Sequence, residues 1–162
     1  MKPTRRAVLL APLALAVPAA AQGPGVYAAL LAEEHAAIHL YGVLAPHLPE
    51  SLREVARAAY DDHRRHRDRL AELIRAAGGT PQPARPSYAL PGSVSTAKAA
   101  RDIAIGIEDS LALRWHAAVG EVAPRERALC VAALGDEAEH LTYLRWSATG
   151  RAELAAPDFP GR

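Results

Sequence analysis

Asp136-Glu137-Ala138-Glu139-His140 interrupts an otherwise apolar helical run from Leu129 to Trp146. Glu137 and His140 are three residues apart and so share one face of a helix. A single pair of this kind is a weak signal, because both residue types are common. The second copy strengthens it. Sliding the chain by 74 positions lays His63 and His66 under Glu137 and His140, Asp62 under Asp136, Leu70 under Leu144, Val55 under Leu129, Tyr41 under Trp115 and Glu34 under Glu108. Each half therefore carries a Glu followed 29 residues later (63 minus 34; 137 minus 108) by a pair spaced i, i+3.

Outward from that stretch the apolar positions recur at helical spacing. Helix 4 has Pro124 in its first turn, the stripe Cys130, Ala133, Glu137, His140 or Leu141, Leu144 and Ala148, and Gly150 as its stop. Helix 3 opens at Ser95 or Thr96, both good N-caps, and runs to about Val122 with the stripe Ala104, Glu108, Leu111, Trp115, Ala118 and Val122. Helix 2 spans about Glu50 to Ala77, presents Leu52, Val55, Ala59, His63, His66, Leu70 and Leu73 inward, and closes at Gly78-Gly79, a left-handed stop. Its other face carries Arg57, Arg64, Arg65, Arg67 and Arg69 among acidic residues and reads as solvated. Helix 1 runs from Val26 to about Leu48, with Glu34 inside its stripe and Glu33 turned toward solvent. Pro46 and Pro49 end it.

Between helices 2 and 3, residues 78 to 94 hold Pro81, Pro83, Pro86 and Pro91 without periodicity. Seventeen extended residues reach about 55 Å. A helix of the length expected here is about 40 Å long. The connection is thus long enough to traverse a bundle, and helix 3 is expected to start at the same end as helix 1. The expected architecture is all-α: an antiparallel four-helix bundle over residues 22–150, two helical hairpins joined by a long Pro-rich crossover.

Equal path lengths on either side of each hairpin turn place the polar stripe residues at one depth. Glu34 and His63 lie about equally far from the turn near Leu48, and Glu108 and Glu137 from the turn near Ala123. Three carboxylates and three imidazoles then meet in a dry interior, where a lone charge costs several kcal/mol unless it is paired, protonated or bound to a cation. A divalent metal neutralises the carboxylates and takes imidazole nitrogen directly. The alternative is a metal-free bundle in which Glu and His satisfy each other by shared protons, serving as a structural or partner-binding protein. The candidate ligands are Glu34, His63, His66, Glu108, Glu137 and His140, with Asp62, Asp109 and Asp136 as candidates to orient an imidazole. His35 and His39 read as surface or boundary residues.

The pattern Glu34, His63-x-x-His66, Glu108 and Glu137-x-x-His140 resembles that of the ferritin-like superfamily, in which two helices each give a Glu and two each give Glu-x-x-His to a di-iron or di-manganese site. The stretch from about Gly25 to Trp146, with the Tyr88-Ala89-Leu90-Pro91 crossover, also resembles a family of exported bacterial ferritin-like domains of unknown function. The resemblance implies a ferritin-like fold and iron or manganese as cofactor, and it implies no particular reaction. The chain departs from the superfamily pattern at His63, where a Glu would open the helix 2 pair. Three carboxylates stand where four would balance two divalent ions.

Residues 1–21 have the form of an export signal: basic Lys2, Arg5 and Arg6, an apolar stretch from Ala7 to Val17, and small Ala19-Ala20-Ala21. Thr4-Arg5-Arg6-Ala7-Val8-Leu9 resembles a twin-arginine signal. The apolar stretch is short of the roughly 20 residues a membrane span needs, so cleavage near Ala21 and export to the periplasm or extracytoplasmic envelope are expected, with no transmembrane segment in the mature chain. Cleavage removes three of the 19 basic residues and leaves 16 against 18 acidic ones, a formal charge of −2. A near-neutral surface without a basic block argues against nucleic-acid binding. Cys130 is the only cysteine, so no intrachain disulfide forms. Residues 151–162, with Pro157 and Pro160, read as a loose tail, and a homodimer is compatible with the pattern.

Overall fold

The computed structural model describes residues 23–149. The expected export signal at residues 1–21, the Gly150 stop and the tail at 151–162 lie outside them. Four helices account for most of the described chain: α1 (Gly23–Leu44), α2 (Arg53–Ala76), α3 (Ala97–Glu121) and α4 (Arg127–Thr149), with no strand among the described residues. None of these helices is long and apolar enough to cross a membrane.

The prolines set the helix boundaries. Pro46 has no N–H and its ring collides with the carbonyl one turn back. α1 therefore stops at Leu44, short of the expected Leu48, and the chain tightens into a 3-10 turn at Ala45–His47. A second such turn at Glu50–Leu52 leads into α2, and a third at Pro124–Glu126 leads into α4. Gly78, at φ 79°, closes α2 in the left-handed region expected of it. The Thr96 hydroxyl accepts from the Ala99 amide at 3.1 Å and caps α3. Thr96→Ala removes that acceptor and is expected to cost about 1 kcal/mol in urea unfolding, with the denaturant slope unchanged.

α1 packs against α2 and α3 against α4, with contacts of α1 on α3 and α2 on α4 completing the bundle. The crossover climbs the outside of α1. The Gln82 carbonyl lies 3.2 Å from His35 Nε2, the Tyr88 ring sits 5.4 Å from that of His39, and Leu90 and Val94 pack on the core around Tyr41, Leu44 and Ala100. α3 therefore starts where α1 finishes, not at the end where α1 starts. The reason is one of arithmetic: α2 already returns the chain to the start of α1, so a connection as long as the bundle delivers it to the far end. At the other end Tyr27, Leu30 and Leu31 meet Ala118, Val122 and Cys130, and the Tyr27 hydroxyl donates to Glu126 Oε2 at 2.6 Å. The helices run up, down, down, up.

The apolar residues form two clusters, one at each end. One holds Leu31, Leu70, Leu111 and Trp115, and the other holds Tyr41, Leu44, Ala59, Ala104 and Leu144. Three members of the expected stripes are displaced: Val55 and Leu73 are only half-buried, with Ile74 buried beside Leu73, and Ala148 is exposed near the end of α4. Between the clusters lies a polar layer.

Candidate metal centre

Every helix contributes to that layer from its buried face. α1 gives Glu34, α2 gives His63 and His66, α3 gives Glu108, and α4 gives Glu137 and His140. Glu34, His63, Glu108 and Glu137 are 0 % exposed, and His66 and His140 are 5 % and 4 % exposed. The i, i+3 spacing stacks each pair on one inward stripe, and the equal path lengths around both hairpins bring the six to one level.

The contacts exchange under the same 74-residue shift that relates the sequences. Trp115 Nε1 donates to Glu34 Oε1 at 2.9 Å, and the Tyr41 hydroxyl donates to Glu108 Oε1. His140 Nε2 lies 3.1 Å from Asp62 Oδ2, and His66 Nε2 lies 3.1 Å from Asp136 Oδ2. In each case the partner comes from the other half of the chain. The two hairpins are therefore locked by crossed polar contacts as well as by apolar packing.

Two groups of four result. Glu34, His63, His66 and Glu137 form one, and His63, Glu108, Glu137 and His140 form the other; in each the ligand-type atoms lie within 4.8 Å of one another. His66 Nδ1 is 3.4 Å from Glu34 Oε1 and 3.5 Å from Glu137 Oε1, while His140 Nδ1 is 3.1 Å from Glu108 Oε2. Both imidazoles turn Nε2 outward to an aspartate and Nδ1 inward to the carboxylates. A donated Nε2–H fixes the tautomer that offers Nδ1 to a metal.

Three buried atoms in this layer lack a hydrogen bond: both oxygens of Glu137 and Nδ1 of His66. The approaches of imidazole nitrogen to Glu137, at 3.5, 3.6 and 3.9 Å, are ion-pair distances too long for hydrogen bonds. A buried carboxylate left in this state is costly. These orphaned atoms lie where a cation held by either group would sit, so the residues fit a metal.

The electrostatics of the metal-free protein show the same pressure. Burial pushes the Glu137 carboxyl up to about 7, with the neighbouring Glu108 charge adding to the rise. Glu108 is held well below the usual carboxylate range: burial opposes this, but its contact with Glu137 and the His63 and His140 imidazoles win. For His66 and His140 burial favours the neutral ring, yet the surrounding carboxylates raise each to about 10. His63 is likewise raised, by Glu108 and Glu137 against the effect of burial. Without metal, protons on these rings neutralise the site.

The remaining candidates part ways. Asp62 and Asp136 each meet an imidazole, whereas Asp109 turns to Arg145 at 2.6 Å. Glu33 is half-buried and paired with Arg114 at 2.9 Å, so it is less solvent-facing than its helical angle suggests. His35 and His39 stay at the boundary against the crossover. Tyr41 and Trp115 donate hydrogen bonds to carboxylates of the layer, whereas the stripe reading treats them only as core residues. Their signal was the repeat itself, which places an aromatic with a polar hydrogen seven residues, two turns, along from each of two glutamates. A cleft of about 250 Å³ lined by Glu54, Asp62, Glu139 and His140 reaches the edge of the layer at His140. A larger cleft of about 510 Å³, between α1, α3 and the crossover, is lined by none of the six.

Residues 26–162 match the sequence pattern of a family described as a domain of unknown function (DUF4439). The fold is similar to the crystal structure of a conserved hypothetical protein from Mycobacterium tuberculosis, with a TM-score of 0.72 and 29% sequence identity over 79% of this chain and 96% of that one. No curated protein matches the chain.

Proposed function

The chain belongs to the DUF4439 family, and from that premise we propose that it is an exported, ferritin-like bundle whose inward Glu and His residues bind iron or manganese. The observation that carries this reading is the pair of buried, hydrogen-bond-free oxygens of Glu137, which belongs to both groups of four. Glu34 and His66 would complete one position, and Glu108 and His140 the other. Iron or manganese held there would supply one-electron chemistry toward oxygen species or a carried metal ion. The chain's own residues have separable tasks. Trp115 and Tyr41 hold Glu34 and Glu108 in place, Asp136 and Asp62 aim the imidazoles, and the apolar clusters above and below exclude water. The ferritin-like assignment is supported by the up, down, down, up helix order and by the Glu and Glu-x-x-His spacing. Export is supported by the form of residues 1–21.

The metal-free reading draws on one observation, the carboxylate facing each nitrogen of His63 at 2.9 and 3.3 Å, which satisfies a protonated ring. Elemental analysis after anaerobic reconstitution separates the two: stoichiometric iron or manganese supports the first, and no retained metal removes it. A finer measurement addresses the outer residues. Asp62→Asn and Asp136→Asn keep the side-chain volume but weaken the grip on Nε2, and each is expected to lower metal affinity by roughly 10- to 100-fold in chelator competition.

A further inference from the structure

His63 occupies the place that Glu137 holds in the other half of the repeat, and these two residues alone belong to both groups of four. Each divides its atoms between the groups. Glu137 turns Oε1 toward His63 Nδ1 and His66 Nδ1, at 3.6 and 3.5 Å, and Oε2 toward His140 Nδ1 at 3.9 Å. His63 turns Nδ1 toward Glu34 Oε2, at 2.9 Å, and Nε2 toward Glu108 Oε1, at 3.3 Å. The two nitrogens of an imidazole lie in the ring plane and point apart. They cannot serve one ion together, but they can serve two, one on each side.

Charge leads to the same place. Glu34, Glu108 and Glu137 supply three negative charges in a dry layer, one fewer than two divalent ions require. An imidazole whose second ring nitrogen also takes a metal gives up its last ring proton and becomes an anion. With His63 in that form, the four anionic groups balance two divalent ions without a fourth carboxylate.

We propose that His63 is a bridging ligand between two metal ions, with Nδ1 on the ion held by Glu34 and His66, Nε2 on the ion held by Glu108 and His140, and Glu137 as the second bridge. The proposal deepens the metal-binding reading above and rests on it. Binding releases the ring protons of His63 to solvent, two of them from an imidazolium, and transfers no electron. The donor set that results has three imidazoles, which suits copper and zinc as well as iron.

Copper(II) is the probe, because an imidazolate between two cupric ions pairs their spins. The purified protein is titrated with copper(II), and bound copper is compared with the integrated cupric electron paramagnetic resonance signal at low temperature. The expected result is two ions per chain, one for each group, with a signal that grows as the first ion binds and is lost as the second binds. In His63→Gln, with helicity unchanged, the bound copper is expected to give its full signal. Saturation at one ion, two ions with the full signal in the wild type, or a lost signal that persists in His63→Gln overturns the bridge and leaves metal binding standing. Absence of any retained metal overturns both. If His63→Gln does not fold, the zinc-loaded wild type with nitrogen-15 histidine decides by nuclear magnetic resonance: both His63 ring nitrogens metal-bound and no ring proton support the bridge, and a surviving ring N–H overturns it.

Discussion

Saturating the protein with iron(II) or manganese(II) is expected to raise its melting temperature by on the order of 10 °C, and Glu137→Gln to remove most of that rise. A ligand at a thousandfold excess over its dissociation constant stabilises the native state by about 4 kcal/mol. For a domain of this size each kcal/mol moves the midpoint by roughly 2–4 °C. Glu137 is the carboxylate common to both groups, so its replacement weakens both positions. In the metal-free state the expectation reverses. The wild-type carboxyl is fully buried, lacks hydrogen bonds and is pushed up to about 7. A neutral amide of the same size avoids most of that burial cost, so metal-free Glu137→Gln should melt at or above the wild-type temperature. Calorimetry with and without metal checks the pair of statements. An equal loss in both states would mean that Glu137 is an ordinary packing residue, and no rise in the wild type would favour the metal-free bundle.

The sequence made the helices and the inward polar layer legible because both follow from local periodicity and path length. Glu34, His63, His66, Glu108, Glu137 and His140 sit on apolar stripes, and a stripe residue at matched depth has little choice but to face the axis. The direction of α3 was less accessible. The crossover length is readable, but the end at which it begins depends on tracking the chain through the first hairpin. The outer contacts were harder still. Asp62, Asp109 and Asp136 have similar positions beside inward residues, yet two of them meet an imidazole and Asp109 meets Arg145. That division is decided by which helix lies across from each one, and so it belongs to tertiary packing. The donors Trp115 and Tyr41 reach glutamates on the opposite hairpin, again a relation that helical periodicity does not encode.

Raising the pH from 7 to 9 is expected to destabilise the metal-free protein by on the order of 3 kcal/mol, read by urea unfolding at each pH. His66 and His140 titrate at about 10 when folded, above the ordinary value of 6.5 that represents the unfolded chain. Below pH 6.5 both states bind these protons and the stabilisation is fully present. Between 6.5 and about 10 only the native state holds them, so stability falls with rising pH, by about 1.4 kcal/mol per unit for each such proton. Two protons over two units would give about 5 kcal/mol, and solvent relaxation around the layer lowers the figure. Glu137 acts with the same sign at lower pH: its contribution is complete below about 4.5 and lost as pH passes about 7. Against a typical total of 5–15 kcal/mol, the metal-free fold is much weakened by pH 9. Metal binding should reverse the trend, since an ion on Nδ1 displaces the proton there and is bound more tightly as pH rises. The melting temperatures of loaded and metal-free protein should therefore diverge from pH 7 to 9. A metal-free profile that stays flat would mean that the native state holds no more protons than the unfolded chain between pH 7 and 9, with neutral rings and ionised carboxylates, and the layer would then have no cationic charge for a metal to replace.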